Sequence, residues 1–109
     1  MGLYVIATPI GDYADLGQRA LALLQSCAVI ITEERKEGSR LLRHFGVAHR
    51  QLEELNEHTA KGQLSHLAEL CRHQEVALIS DAGTPGFCDP GADLVALCRQ
   101  QGIAVRSVP

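Results

Sequence analysis

The 109-residue chain is predicted to be an α/β domain: a five-stranded parallel sheet with helices on both faces. Two observations carry this. Short apolar runs rich in β-forming residues alternate with segments whose apolar residues recur at helical spacing, the signature of successive βα units with right-handed crossovers. The composition, 46% hydrophobic and 21% charged, is that of a compact folded chain, and the length suits one domain. No internal repeat, linker or low-complexity tract interrupts it.

Leu3 to Thr8 (LYVIAT) reads as a strand buried on both faces, stopped by Pro9 and Gly11. A helix is expected from about Asp15, which is suited to cap it, with Leu16, Ala20, Leu23 and Leu24 on one core-facing stripe. Ala28 to Thr32 supplies the second strand. Glu33 to Phe45 reads as a helix with Glu33 and Glu34 at its amino end, Leu41, Leu42 and Phe45 as its apolar end, and Gly46 as its stop. Gln51 to Leu55 is a weak third strand. The next helix is expected to start at Asn56 or Thr59 and to bury Leu64, Leu67, Ala68 and Cys71. Glu75 to Ser80 is the clearest strand. After the loop Asp81 to Gly91 comes a helix carrying Leu94, Val95, Leu97 and Cys98, ended by Gly102, and then a fifth strand from Ile103 to Val108.

The net charge of −3 argues against a generally basic surface that coats nucleic acid, leaving only local contact. No apolar stretch approaches the ~20 residues of a membrane-spanning helix and no signal pattern opens the chain, so a soluble cytoplasmic protein without membrane partners is expected. Cys27, Cys71, Cys88 and Cys98 contain no CxxC pair and read as buried or half-buried free thiols. The five histidines show no helical i, i+4 pairing with a carboxylate that would build a ligand set, so no metal site is expected.

Ligands of open parallel sheets bind beyond the carboxyl ends of the strands, and two loops there stand out. Thr8 to Asp12 follows the first strand. Asp81 to Gly91 follows the fourth and holds three glycines, two prolines and two aspartates in eleven residues. Glycine lets backbone approach a ligand closely and proline fixes the turn, although either residue also serves simply to reverse a chain. The second loop exceeds the usual length of a βα connection, which favours function. Neither loop carries GxxxxGK[ST] or GxGxxG, so a nucleoside-like ligand other than ATP or a dinucleotide fits better.

Leu3 to Gly11 (LYVIATPIG), Glu34 with Arg40 to Leu42, Asn56 and Glu57, and above all Val76 to Gly86 (VALISDAGTPG) with Asp89 to Gly91 closely resemble the amino-terminal domain of the tetrapyrrole methylase superfamily. The nearest branch is that of bacterial 16S ribosomal RNA 2′-O-ribose methyltransferases. The resemblance implies an S-adenosylmethionine-dependent enzyme of two α/β domains, dimeric, with the cofactor between them and the first and fourth strands adjacent. It makes Pro9, Gly11, Asp81, Ala82, Gly83, Thr84 and Pro85 the cofactor-binding candidates. It also implies that residues 1–109 form one wall of the cleft and that the family's carboxyl-terminal domain lies outside this chain. Two segments depart from the branch: EERKEG at Glu33 to Gly38, where E-D-T-R is usual, and LEELNE at Leu52 to Glu57, where Y-H-E-H-N-E is usual. Both lie where substrate would approach.

Methylation of a ribose hydroxyl needs a base beside the attacking oxygen. Glu34, Asp81 and Asp89 are the carboxylates in or near the carboxyl-end loops, while Glu34 and Asp89 equally suit helix amino ends. Lys36, Arg40, Arg43 and His44 share one side of the second helix, as a phosphate-contacting stripe or as a solvated face partly neutralised by Glu33, Glu34 and Glu37. Ribosomal RNA or the small ribosomal subunit is the expected partner, beside a second copy of the chain. A corrin or porphyrin precursor methyltransferase is the alternative within the superfamily, disfavoured by the DAGTPG string. A noncatalytic ligand-binding or dimerisation module is the alternative outside it.

Overall fold

The computed structural model describes residues 1–8, 16–47, 51–81 and 89–108. Five strands, β1 (Gly2–Thr8), β2 (Val29–Thr32), β3 (Gln51–Glu54), β4 (Glu75–Asp81) and β5 (Val105–Val108), alternate with four helices, α1 (Gln18–Ser26), α2 (Arg35–His44), α3 (Lys61–His73) and α4 (Asp89–Gln100). All pairings are parallel and the order is β3-β2-β4-β1-β5. The first and fourth strands are therefore neighbours, as the resemblance implies, matched residue for residue from Gly2 beside Glu75 to Thr8 beside Asp81.

Strand alternation divides the core in two. Leu3, Val5, Val29, Ile31, Val76 and Leu78 face α3 and α4, against Leu67, Ala68, Cys71, Leu94, Val95 and Cys98. Ile6, Ile30, Ala77, Leu52 and Val108 face α1 and α2, against Ala20, Leu24 and Leu42. This is what right-handed crossovers demand, since α1 and α2 carry the chain one way along the sheet and α3 and α4 carry it back. Each fully buried Leu or Ile here contributes roughly 1.5–3 kcal/mol.

Several expected boundaries shift. Helix α1 begins at Gln18 behind Gly17, which offers no side-chain cap, rather than at Asp15, which lies outside the described residues. Glu33 and Glu34 precede α2 instead of forming its first turn. Asn56 and Thr59 do not start α3. They bond to each other in a turn, the Asn56 N–H donating to Thr59 Oγ1 at 2.9 Å and the Thr59 N–H to the Asn56 carbonyl at 3.0 Å. Helix α4 begins at Asp89, shortening the long loop and putting Pro90 in its first turn, where proline is tolerated. Gly46 and Gly102 follow α2 and α4 with φ of +64° and +74°, the left-handed stop expected of them.

Cys27, Cys71 and Cys98 are buried free thiols. Burial pushes the Cys27 thiol up to about 11, and the Cys71 thiol, donating to Cys98 across the α3–α4 contact, is raised as well. One histidine does pair at i, i+4, contrary to expectation: His73 Nε2 lies 2.9 Å from Glu69 Oε1 on the exposed side of α3. With Arg72 it forms a surface ion cluster.

Gly38 shows how tightly α2 sits on the sheet. A Cβ there would lie 2.4 Å from Cγ2 and 2.8 Å from Oγ1 of Thr32, a side chain that is 4% exposed. The glycine lets α2 lie directly over the end of β2. Gly38→Ala is expected to destabilise the fold by about 1–2 kcal/mol, because the steric cost exceeds the ~1 kcal/mol that alanine gains in a helix. In urea denaturation the cost should shrink in a Thr32→Ala background, since that change removes the atoms met by the new methyl.

Candidate functional site

The site is defined by where neighbouring strands send the chain. Strands β1 and β4 end side by side at Thr8 and Asp81. Helix α1 follows β1 on one face, and α4 follows β4 on the other. Adjacent strands whose connections part to opposite faces leave a crevice at their carboxyl ends, the preferred ligand position of such sheets. Of the cofactor candidates, Asp81 is the last residue of β4. Pro9, Gly11, Ala82, Gly83, Thr84 and Pro85 lie outside the described residues, flanked by strand ends roughly 4.8 Å apart.

Strand β2 adjoins β4 on its other side with Ile31 beside Leu78. Glu34 lies two residues past the end of β2, where the chain has already turned toward α2. Glu34 is exposed and occupies the cap position of α2 with φ −133° and ψ 123°, but its side chain makes no cap hydrogen bond. Its carbonyl is the part that is used, accepting from the Gly38 N–H at 3.0 Å and from the Thr32 hydroxyl at 3.2 Å. The Glu34 carboxylate is thus not employed in starting the helix. Asp89 differs, since it opens α4, the position expected of a residue serving a helix start.

A second crevice opens between β2 and β3, whose following helices also part to opposite faces. Asn56 braces it. Its Nδ2 donates to the Glu33 carbonyl at 3.0 Å, and its Oδ1 accepts from the His58 N–H at 2.9 Å. Arg35 ties the same two strand ends: its backbone N–H donates to Glu54 Oε2 at 2.8 Å and its guanidinium to the Leu52 carbonyl at 2.7 Å. The Leu55 N–H, donating to the Thr32 carbonyl at 2.8 Å, extends the ladder one residue past β3. Beside this brace lies an open groove of about 390 Å³, with Gln63, His66 and the buried Leu67 of α3 on its far side.

The sequence reading missed this groove. The available signal was Asn56 three residues before Thr59 after a strand, which suits a side-chain-stabilised turn as well as a cap. The basic side of α2 is present, with Lys36, Arg40 and Arg43 exposed, though Arg40 lies 3.5 Å from Glu37. Among the described residues no group of three His, Cys, Asp or Glu is arranged to hold a metal ion, and no helix is long and apolar enough to cross a membrane.

Replacing Asn56 by alanine removes the hydrogen bond to the Glu33 carbonyl, which joins the end of β3 to the α2 entry, and the one from the His58 N–H, which holds the turn after β3. It should cost about 1–2 kcal/mol, read as a fall of roughly 4–12 °C in the thermal midpoint. Calorimetry showing no change would remove Asn56 from the brace.

The family model of Tetrapyrrole (Corrin/Porphyrin) Methylases matches residues 2–109. Over 108 residues, 98% of the chain, the sequence is 44% identical to the ribosomal RNA small subunit methyltransferase I of Escherichia coli and 43% identical to that of Pasteurella multocida. The protein of the same name from Synechocystis is 41% identical over the same span. The chain spans 37–38% of the length of these relatives. The match runs through all five strands, including the adjacent ends of β1 and β4, and the chain belongs to the tetrapyrrole methylase family.

Proposed function

We propose that this chain is the cofactor-contributing amino-terminal domain of an S-adenosylmethionine-dependent methyltransferase that methylates the 2′-hydroxyl of a ribose in small-subunit ribosomal RNA. The observation that carries the reading is the pairing of Thr8 with Asp81 at strand ends whose helices part to opposite faces. The relatives, named as ribosomal RNA small subunit methyltransferases, support the substrate. Because the chain spans little more than a third of those relatives, the opposing wall of the cleft is assigned to a carboxyl-terminal domain outside this sequence. A cytoplasmic homodimer completes the proposal.

A nucleoside-like cofactor is assigned to this crevice because the two segments rich in glycine and proline follow, in sequence, the adjacent ends of β1 and β4, the ligand position of such sheets. Pro9, Gly11, Asp81, Ala82, Gly83, Thr84 and Pro85 are proposed to hold it. S-adenosylmethionine supplies a methyl group on a sulfonium, open to in-line displacement by oxygen. The domain's own work is orientation, worth up to ~7–11 kcal/mol when reacting atoms are held at near-attack distance, and removal of the hydroxyl proton. Glu34 is the carboxylate proposed to take that proton, being exposed, uninvolved in capping and just past the end of β2, the strand beside β4.

Titration calorimetry on the full-length protein should show S-adenosylmethionine binding that Gly83→Val abolishes without lowering the melting temperature. Residues 1–109 alone should bind it much more weakly. Equally tight binding by the fragment would defeat the division of the cleft between two domains. Small ribosomal subunits from cells lacking the protein should accept a labelled methyl group on ribose, and absence of transfer would overturn the substrate. Glu34→Gln should lower kcat by about 10²–10⁴ while leaving cofactor affinity unchanged, and an unaltered kcat would remove Glu34 from the role of base.

A further inference from the structure

The groove at the ends of β2 and β3 is separate from the β1–β4 crevice but shares its edge of the sheet. Strand β3 stands two places from β4, which sets the two features about 10 Å apart. Its volume of about 390 Å³ falls within the range of small-ligand sites. Its lining is mixed: the carboxylates of Glu53 and Glu54 on the strand side, amides from Asn56 and Gln63, the imidazole of His66, and Leu67, 2% exposed, as an apolar floor.

That set of groups selects among ligands. The wall sets two carboxylates, Glu53 and Glu54, against the single guanidinium of Arg35, which is held by the Leu52 carbonyl, so its charge disfavours a phosphate. The Gln63 amide can present a donor and an acceptor side by side, as does the edge of a nucleobase. The imidazole of His66 and the apolar Leu67 in one lining suit the face of a base, and single-stranded RNA is read through base edges and stacking on flat side chains. Arg35 and Asn56 are occupied in joining the strand ends and fix the groove's shape. Gln63 and His66 belong to no such brace and stand exposed on successive turns of α3.

We infer that this groove is a reading site for an unpaired RNA base flanking the methylated ribose, with Gln63 and His66 as its specificity-determining residues. The inference rests on the proposed ribosomal RNA methyltransferase function. Bound there, the flanking base fixes the register of the RNA so that the target hydroxyl falls over the β1–β4 crevice.

The test uses the full-length protein, small ribosomal subunits as substrate and S-adenosylmethionine with a labelled methyl group. Gln63→Ala and His66→Ala should each raise KM for the subunits about tenfold, the scale of one lost base contact, with cofactor affinity and melting temperature unchanged. His73→Ala, farther along α3 in the surface ion cluster, should behave as wild type. The slope of log KM against log salt should be the same for Gln63→Ala and wild type, because a base contact releases no counterions. A slope smaller by about 1 would mark a phosphate contact and overturn the base assignment. If wild type methylates the subunits and neither variant alters KM, the reading site is overturned while the proposed function stands. If wild type transfers no methyl group, the proposed function fails and takes this inference with it.

Discussion

The parallel pairing of β1 with β4 is the constraint on which the rest of the molecule depends. Two segments more than seventy residues apart in sequence run side by side over seven positions, and both lie in the interior of the five-stranded order. To place β4 between β1 and β2, the chain must step over a strand in three of its four connections. With right-handed crossovers, those steps send the connections after β3, β2, β4 and β1 to alternating faces. A sheet built from consecutive neighbours would have no parting of its connections, all of which would lie on one face. This one has three, and its carboxyl edge is divided into crevices rather than closed by helices.

The divided edge has to be held in shape, because each crevice removes packing that would otherwise support the strand ends. At β2 the support is steric: Gly38 brings α2 down onto the buried side chain of Thr32, whose hydroxyl donates to the Glu34 carbonyl. That contact sets the direction in which the chain leaves β2. At β3 the support is polar and comes from Asn56 and Arg35. Individually these hydrogen bonds are worth only about 0.5–1.5 kcal/mol each. They converge on one junction from both backbone and side chain, so loss of one loosens a strand end that the others already constrain.

Much of this was readable in advance. The five strands and four helices follow from apolar periodicity, because Ile30 and Ile31, or Leu67, Ala68 and Cys71, are spaced by the geometry of the element that buries them. Helix starts were less legible. Asp15, Asn56 and Thr59 have the chemistry of caps, yet the same side chains also stabilise turns, and at Asn56 the turn prevailed because its amide had a partner in the Glu33 carbonyl on the neighbouring strand end. The groove was not legible at all: Arg35, Glu54, Asn56, Gln63 and His66 are united only by strand order, which no local pattern encodes. It is notable physically that the two segments departing from the usual wording of the family's ribosomal RNA branch, Glu33 to Gly38 and Leu52 to Glu57, meet at this junction.

Charge gives the arrangement its remaining logic. Glu33, Glu34, Glu53, Glu54 and Glu57 cluster about the ends of β2 and β3, in a chain of net charge −3. Even with Arg35 among them, its guanidinium held by the Leu52 carbonyl, such an edge is poorly suited to hold RNA by its phosphates, whose binding depends on counterion release to lysine and arginine. The cations Lys36, Arg40 and Arg43 stand instead along α2, behind the edge, and one of them is partly neutralised by Glu37. Under the proposed function, this domain therefore contributes discrimination and chemistry more than affinity. On that proposal the carboxylates at the ends of β2 and β3 would disfavour a phosphate there more than an uncharged base. Under that proposal an acidic rim is compatible with an RNA substrate when the backbone of the RNA is gripped elsewhere.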